Sequence, residues 1–220
     1  MFINPKTNPV DRTALSVAFT VGLYGAAFGA AGVTAGFSIL QTCLLSLLLF
    51  SGASQFAVVG IMGAGGAAIS AIATATLLGF RNALYGIQMA PILKVKGLKR
   101  ILSAQITIDE STAVSTLQEN DSDRRRGFYI TGIGVYVFWN LFTYLGALGA
   151  SAIGDPAAWG LDAAVPAAFC GLVWPRIKKK REVLITAAAI ALALLLTPIA
   201  PAGVPIITTV LLAVIFGWKK

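Results

Sequence analysis

The sequence contains no histidine, and only 12% of its 220 residues are charged. The absence of histidine removes the side chain that most often carries protons near neutral pH and that most often binds transition metals. The sequence also lacks a phosphate-binding Walker loop and a dinucleotide-binding glycine fingerprint, and its two cysteines do not have the spacing of a metal site. We therefore predict a protein that is not an enzyme and that holds no cofactor and no metal.

Charged side chains are too scarce to cover a water-soluble protein. Soluble domains carry about 25% charged residues, whereas 57% of the residues here are hydrophobic and the mean hydropathy is +0.81. Such a chain requires lipid as its solvent, so the sequence predicts an all-α integral membrane protein in the lipid bilayer. We interpret it as a single polytopic domain (1–220) with a cytoplasmic N-terminus (1–13), an N-terminal half (14–126) and C-terminal helices (127–220).

The basic residues, which give a net charge of +8, lie at the ends of apolar segments. This is the pattern of cytoplasmic loops under the positive-inside rule, and the anionic inner leaflet is the expected partner of this charge. We therefore predict no binding to nucleic acid, and cytoplasmic N- and C-termini. The clusters are Lys6 and Arg12; Lys94, Lys96, Lys99 and Arg100; Arg124 to Arg126; Arg176 and Lys178 to Arg181; and Lys219 with Lys220.

Apolar segments long enough to span a bilayer recur along the chain. The first, Ala14 to Ala35, contains Gly25-x-x-x-Gly29 and Gly32-x-x-x-Gly36, spacings that indicate close contact between helices. Two further long spans are predicted, Gly66 to Pro91 and Gly127 to Ala152. Three shorter spans are predicted near the C-terminus: Ala163 to Trp174, Val183 to Thr197 and Gly203 to Trp218.

A small polar cluster, Ser51 to Gln55, interrupts the apolar run from Phe37 to Met62. A broken helix frees backbone groups that protein or a water-filled cavity must satisfy, and such breaks form binding sites in transporters. A re-entrant hairpin here would give six spans and keep every basic cluster cytoplasmic, with Ile101 to Leu117 on the inner side or dipping into the membrane. If Phe37 to Met62 and Ile101 to Leu117 each crossed the membrane fully, the count would be seven spans instead. A plain kinked helix is the simpler alternative for the polar cluster.

Arg81 is the only charged residue between Thr13 and Leu93. Placing a guanidinium in hydrocarbon costs at least about 2.5–3.5 kcal/mol. Arg81 therefore marks either a functional site or a side chain that reaches an interface. Tyr85 and Gln88 follow on the same helical stripe, where bonding between helices is the alternative role. The neighbouring Asn82 lies about 100° around the helix from Arg81.

The polar residues of these segments fit a carrier for a zwitterion. Arg81, or a helix N-terminus released at the polar cluster, would bind a carboxylate, and carbonyls or a carboxylate would bind an ammonium. In a chain without histidine, Asp109 and Glu110 are the candidates for proton coupling or gating, and either of them could instead pair with Arg81. The candidate substrate-binding residues are Ser51, Gly52, Ser54, Gln55, Arg81, Asn82, Tyr85, Gln88, Trp139 and Asn140.

Three ordered motifs resemble those of the AzlC-type branched-chain amino-acid permeases. They are Ser51-Gly52-Ala53-Ser54-Gln55-Phe56, Arg81-Asn82-x-Leu84-Tyr85-Gly86 and Thr107-Ile108-Asp109-Glu110-Ser111. The resemblance implies the large subunit of a proton-driven exporter of valine, leucine, isoleucine and sometimes methionine in the bacterial inner membrane. It also implies a small AzlD-type partner subunit. Many members have histidine where this chain has Asn82, which shifts the expected proton coupling to Asp109 or Glu110.

The alternative function is a channel or a non-transporting scaffold subunit, in which the polar residues only hold helices together. A carrier shows saturable exchange of labelled leucine or valine, whereas a scaffold shows none.

Overall fold

The fold is described from a computed structural model, which covers residues 8–153, 167, 170–171, 174, 177–201 and 203–218. Within these ranges there are helices and no strands, so the predicted all-α class is confirmed for the described chain. Most of the predicted span from Ala163 to Trp174 lies outside the described residues, as do the basic residues Lys6, Arg176, Lys219 and Lys220.

The helices, in chain order, differ widely in length. They are α1 (Pro9–Thr34), α2 (Ile39–Leu48), α3 (Gly52–Gly63), α4 (Ala68–Leu93), α5 (Leu98–Gln105), α6 (Asp109–Thr116), α7 (Asp121–Ala152), α8 (Lys180–Leu196) and α9 (Val204–Trp218). Within the described chain, two helices, α1 and α7, are long and apolar enough to cross a membrane by length and composition. The helix α4 is as long as α1 and carries Arg81 at its middle.

Helices α1 and α7 lie side by side and run in the same direction. Asp11 and Arg126 form an ion pair near their N-terminal ends, with Nε 2.5 Å from Oδ1. Further along, a Cβ atom at Gly25 or Gly29 would overlap the backbone oxygen of Trp139 or Thr143. The close contact predicted for this glycine pair is therefore confirmed, because only glycine lets the two backbones approach this far.

The second glycine pair of α1 does not act as a pair. Gly32 faces the side chain of Thr42 on α2, which a Cβ atom would meet at 2.6 Å. Gly36 follows the end of α1 at φ +89°, and no atom of the described residues lies within 4 Å of an added Cβ. It serves the turn into α2, since this backbone conformation favours glycine.

Helices α2 and α3 form a hairpin, which we call the first hairpin. Thr42 of α2 lies beside Gly32, and the end of α3 returns to the same end of α1, where a Cβ at Gly63 would lie 2.7 Å from the Cβ of Ala35. The two helices are separated by residues 49–51, which form the tip of the hairpin. The break therefore comes slightly earlier than the predicted Ser51 to Gln55, because Gly52 to Gln55 already form the first turn of α3.

Helices α5 and α6 form a second hairpin, which enters from the opposite end of the molecule. Its tip, residues 106–108, lies beside α7, where a Cβ at Gly132 would be 2.9 Å from the oxygen of Ile106. The helix α6 then returns toward the start of α7, where Val114 faces Gly127. The sequence predicts that this segment stays on the inner side or dips into the membrane, and the structure gives it a hairpin with a second helix break.

The two hairpin tips meet between the long helices. The side-chain amide of Gln105, at the end of α5, donates to the carbonyl of Leu47 at 3.0 Å. The helix α4 runs antiparallel to α7, because the Arg125 Nε donates to the carbonyl of Ile92 near the end of α4 at 2.8 Å. The number of membrane spans stays a prediction, and the six-span interpretation requires a re-entrant hairpin only at the first of these two hairpins.

Candidate functional site

A cavity of about 310 Å³ lies at the junction of the two hairpin tips, near the middle of α1, α4 and α7. A volume of this size lies within the range typical of small-molecule sites, about 300–1,000 Å³. Its walls are mostly apolar, with a few polar and charged groups. The lining residues are Val21, Tyr24, Phe50, Ser51, Gly52, Ala53, Phe56, Leu78, Arg81, Asn82, Ile108, Asp109, Glu110, Val135 and Trp139.

The N-terminal ends of α3 and α6 both face this cavity. In α3, the first intrahelical bond of the turn is made by the N–H of Gln55, which donates to the carbonyl of Ser51 at 2.9 Å. The preceding amides have no intrahelical acceptor, and the Ser51 side chain makes no capping hydrogen bond to them. Gly52 and Ala53 line the cavity, so α3 presents the positive end of its dipole there.

Arg81 forms an ion pair across the cavity with Asp109, the first residue of α6. The Nη1 and Oδ2 atoms are 3.1 Å apart, and the side chains are 34% and 20% exposed. The Nε atom of Arg81 is buried and has no hydrogen-bond partner among the described residues. The Arg81 side chain therefore lines the cavity. Of the predicted pairings with Asp109 or Glu110, the one with Asp109 forms.

Ser51 and Ser54 connect the first hairpin to α4. The Ser54 hydroxyl donates to the carbonyl of Ala75 at 2.9 Å, and its oxygen lies 3.1 Å from the Ser51 oxygen. Because the single Ser54 proton is used for Ala75, Ser51 is the donor of the second bond. Ser51 lines the cavity, whereas Ser54 is fully buried behind it.

Gln55 holds the break between α2 and α3 together. Its amide nitrogen donates to the carbonyls of Leu49 at 2.7 Å and Ser46 at 3.3 Å, and its oxygen accepts from the Trp139 indole N–H at 2.9 Å. A carbonyl left free by the break, that of Leu47, accepts from Gln105. These carbonyls are therefore occupied by protein groups, which removes them as ligands for an ammonium.

The structure brings most of the predicted site residues to the cavity wall. They are Ser51, Gly52, Arg81, Asn82, Asp109, Glu110 and Trp139. Ser54 and Gln55 are fully buried and position the tip rather than line the cavity. Asn140 also lies off the wall, and its amide donates to the carbonyl of Tyr136 in its own helix at 2.7 Å.

Tyr85 and Gln88 do not line the cavity, although they share a helical stripe with Arg81. A rise of 1.5 Å per residue moves them about 6 and 10 Å along α4 from Arg81, past the end of a site this small. Asn82 lines the cavity because it lies at nearly the same height, and its buried Oδ1 has no partner among the described residues.

Sequence reasoning missed the apolar wall and Tyr24 of α1. Phe50, Ile108 and Val135 reach the cavity from both tips and from α7. Ile108 directly precedes Asp109 in the third motif, so the motif could have identified Ile108 as a residue of the site. The other two residues are indistinguishable from core residues by type and spacing, and both are buried in the main hydrophobic cluster.

The site can bind opposite charges a short distance apart. Arg81 and the amides of α3 suit an anionic group, whereas Asp109 and Glu110 suit a cationic one. Among the described residues no group of His, Cys, Asp and Glu side chains could hold a metal ion. The arrangement therefore suits a small zwitterion with an apolar body.

Comparison with known proteins agrees with the three motifs. A family model described as "AzlC protein" matches residues 16–153. The chain is 31% identical to an "Uncharacterized membrane protein" of Archaeoglobus fulgidus over 89% of this chain and 84% of that protein. It is 28% identical to "Inner membrane protein YgaZ" of Escherichia coli, over 83% of this chain and 75% of that protein.

A third relative, an "Uncharacterized membrane protein" of Haemophilus influenzae, is 26% identical over 66% of this chain and 64% of that protein. No solved structure matches the chain.

Proposed function

The chain belongs to the AzlC family of membrane proteins, and from that premise we propose that it is a secondary transporter that exports branched-chain amino acids. Valine, leucine and isoleucine are the proposed substrates, with methionine as a further one. The observation that carries the proposal is the mid-helix cavity, where one wall is cationic, another is anionic and the remainder is apolar. Such a cavity matches the three chemical parts of these amino acids.

The carboxylate of the substrate would bind between Arg81 and the N-terminus of α3. Arg81 has a planar donor fork that suits a carboxylate, and its buried Nε has no partner in the part of the chain that the structure describes. Gly52 and Ala53 bring backbone amides to the same cavity. In transporters, half-helix N-termini bind anionic substrate groups near the bilayer midplane in this way.

The ammonium of the substrate would bind at the carboxylates of α6. Asp109 pairs with Arg81 in the structure at 3.1 Å, so a zwitterion that enters the cavity can replace this pair with two pairs of its own. Arg81 then binds the substrate carboxylate, and Asp109 the substrate ammonium. This exchange keeps both protein charges neutralised, which matters because an unpaired charge in a low-dielectric site is costly.

The aliphatic side chain of the substrate would fill the apolar part of the cavity. Phe50, Phe56, Ile108, Val135 and Trp139 supply this wall. Each buried methylene contributes about 0.8 kcal/mol, so a pocket of this kind favours valine, leucine and isoleucine over alanine or glycine. An amino acid with a charged side chain would have to bury that charge against the same wall.

The proton gradient is the proposed driving force. With no histidine in the chain, Asp109 and Glu110 are the groups in the cavity that can take up and release a proton as carboxylates. Protonation of Asp109 would weaken its ion pair with Arg81 and its hold on a substrate ammonium. Proton binding and substrate binding therefore compete at one side chain, as antiport requires.

A small AzlD-type membrane subunit is the proposed partner, and the bacterial inner membrane is the proposed location. An apolar stripe exposed along α4 offers a surface within the bilayer for that subunit. It consists of Ile69, Ile72, Phe80, Leu84 and Ile87. The described basic residues Lys94, Lys96, Arg124 and Arg125 share one end of the molecule, which we assign to the cytoplasm together with both termini.

Counterflow in proteoliposomes tests the proposal. The chain and its small partner are reconstituted into proteoliposomes that contain unlabelled leucine. The uptake of labelled leucine or valine from outside is then followed. We expect transient, saturable accumulation that unlabelled isoleucine inhibits and lysine does not. Arg81→Ala serves as the matched inactive variant, with Gln88→Ala as the control on the same helix.

A channel would give flux without counterflow, and a scaffold would give neither. Absence of both exchange and proton-dependent flux in the co-reconstituted pair would reject the transporter proposal.

A further inference from the structure

The first six helices form two units with the same order of elements. Helices α1 and α4, which begin the units, each have 26 residues. In both units, a turn of four residues leads to a hairpin with a three-residue tip, and a second turn of four residues follows. The units α1–α3 and α4–α6 run in opposite directions, because α1 is parallel to α7 whereas α4 is antiparallel to it. Repeats of opposite direction are related by a pseudo-two-fold axis in the membrane plane, and transporters bind substrates at the interface between them.

The wall of the cavity follows the same two units. Lining residues form pairs, with one member in each unit and a constant separation of 57 residues in the chain. These pairs are Val21 and Leu78, Tyr24 and Arg81, Ser51 and Ile108, Gly52 and Asp109, and Ala53 and Glu110. Leu48 and Gln105 have this separation too, and the Gln105 amide donates to the Leu48 carbonyl at 3.4 Å. Equivalent residues can meet only near the axis that relates them, so the axis passes between the two hairpin tips, where the cavity lies.

Tyr24 of α1 is the counterpart of Arg81 of α4. Arg81 contacts the first residue of the last helix in its own unit, where it pairs with Asp109 at 3.1 Å. The counterpart of Asp109 is Gly52, the first residue of α3. The repeat therefore places Tyr24 beside Gly52, as Arg81 lies beside Asp109, and both Tyr24 and Gly52 line the cavity.

Contacts between α1 and α3 give the same position for Tyr24 without reference to the repeat. The two helices are parallel, because they finish side by side at the same end of the molecule. Nearer their middle, the rings of Phe28 and Phe56 are 5.6 Å apart and face each other edge to face. Tyr24 and Gly52 each lie one helical turn before these two rings, so they are at the same height on the two parallel helices.

The two counterparts offer different chemistry to one cavity. Arg81 is paired with a carboxylate, whereas Gly52 has no side chain that could pair with Tyr24. The first amides of α3 have no intrahelical acceptor and lie at the cavity wall. A phenol hydroxyl beside them is a further donor for an anionic group. Tyr24 is 44% exposed, so it lies where the cavity reaches the surface of the described chain.

We propose that α1–α3 and α4–α6 are inverted repeats, and that Tyr24, the counterpart of Arg81, is a substrate-binding residue whose hydroxyl donates to the carboxylate of the substrate. The carboxylate then lies between Arg81 of one unit and Tyr24 with the amides of α3 of the other unit, close to the axis that relates the two. The repeat is independent of any function, whereas the role of Tyr24 rests on the proposed transport function.

Cysteine labelling in intact cells tests the repeat. Units of opposite direction put the turns after their hairpins on opposite sides of the membrane, and Ala64 and Glu119 are exposed residues of these turns. Ala64→Cys and Glu119→Cys are made separately in a protein that carries Cys43→Ser and Cys170→Ser. A membrane-impermeant maleimide should modify Ala64→Cys from outside, and Glu119→Cys only after the cells are opened. Modification of both positions from the same side would overturn the repeat.

Binding of labelled leucine to the purified protein with its small partner tests the role of Tyr24. Tyr24→Phe removes the hydroxyl and keeps the ring. Tyr144→Phe is the matched control, because Tyr144 is exposed to a similar extent, 47%, and is not among the residues that line the cavity. We expect the Kd for leucine to rise about 10-fold in Tyr24→Phe, as for the loss of a hydrogen bond to a charged group, and to stay unchanged in Tyr144→Phe.

Competition by isoamylamine separates a bond to the carboxylate from simple packing. This amine is leucine without its carboxylate, so its inhibition constant should be the same in Tyr24→Phe and in the unsubstituted protein. An unchanged Kd for leucine in Tyr24→Phe, or an equal rise for leucine and isoamylamine, would overturn the role of Tyr24. Failure of the unsubstituted protein to bind leucine would instead reject the proposed transport function, whatever the cysteine labelling shows.

Discussion

The two hairpins have the same geometry and opposite chemistry. Each enters from one end of the molecule, breaks near its middle and directs the N-terminus of its second helix at the cavity. The first turn of α3 begins with Gly52 and Ala53, which leave its amides uncovered. The first turn of α6 begins with Asp109 and Glu110, whose carboxylates offset the positive end of the helix dipole.

This difference shows how one backbone arrangement supplies both halves of a zwitterion site. A helix N-terminus with small, neutral residues binds an anion, and one with acidic residues binds a cation. Arg81 lies between them and is paired with the acidic side. The tips also differ in how they are held. Gln55 and Ser54 anchor the first hairpin with side-chain bonds to α2, α4 and α7.

The largest effect is expected where the two halves meet, at Arg81. Arg81→Ala should reduce leucine counterflow by about 100-fold, equivalent to about 2.8 kcal/mol, because it removes the proposed carboxylate ligand and leaves Asp109 without its half-buried partner. Arg81→Lys keeps the charge but loses the planar fork, so we expect an intermediate loss of about 10-fold. Counterflow at the unsubstituted level in Arg81→Lys would mean simple charge pairing rather than recognition of a carboxylate by two parallel bonds.

The next effect concerns the anchoring of the first hairpin by Gln55. Gln55→Leu removes the partner of the Trp139 indole N–H and the amide donor to the carbonyl of Ser46. We expect the free energy of unfolding to fall by at least about 2 kcal/mol, since each unsatisfied group costs about 1–3 kcal/mol. The exposed Gln88→Leu is the control for thermal unfolding in detergent. Equal stability of the two variants would contradict the anchoring role.

The acidic half is tested by Asp109→Asn. If Asp109 carries the proton, net efflux driven by a pH gradient should fall about 10-fold, equivalent to about 1.4 kcal/mol, while exchange of labelled leucine persists. Glu110→Gln measured in parallel shows which carboxylate is coupled. An unchanged pH dependence of Asp109→Asn would transfer the role to Glu110.

The smallest effect is expected from adding a methyl group at Gly52, beside the uncovered backbone amides of α3. A Cβ at Gly52 would lie 3.1 Å from the Cη2 of Trp139, so in Gly52→Ala the indole, which lines the cavity, must shift slightly. We expect the KM for leucine to rise about 5-fold, in line with mild overpacking, and the KM for valine to rise less. Gly86→Ala, whose added Cβ has no described atom within 4 Å, is the control. Equal changes for leucine and valine would contradict a steric effect on the pocket.

Local sequence patterns predicted the site residues near Arg81 correctly, but not those one or two turns further along the same helix. Arg81 and Asn82 were found because charged or polar side chains are rare in apolar segments, and Asp109 because a chain without histidine leaves carboxylates as the candidate proton carriers. Tyr85 and Gln88 were predicted from a shared helical stripe, which specifies direction around the helix but not distance from the cavity. The second hairpin was predicted only as a segment that stays inside or dips in, because its mixed composition does not show where the helix breaks.

The sequence by itself determined that this protein needs lipid as its solvent and that it is helical. It also determined where the long apolar helices lie and which few polar residues they contain. These properties follow from composition and from the cost of placing charge in lipid, which are independent of packing. Only the tertiary structure decided that Arg81 pairs with Asp109, that Ser54 and Gln55 lie behind the cavity, and that two hairpin tips meet there. Those outcomes depend on contacts between residues far apart in the chain, such as Gln55 with Trp139, and no local pattern specifies them.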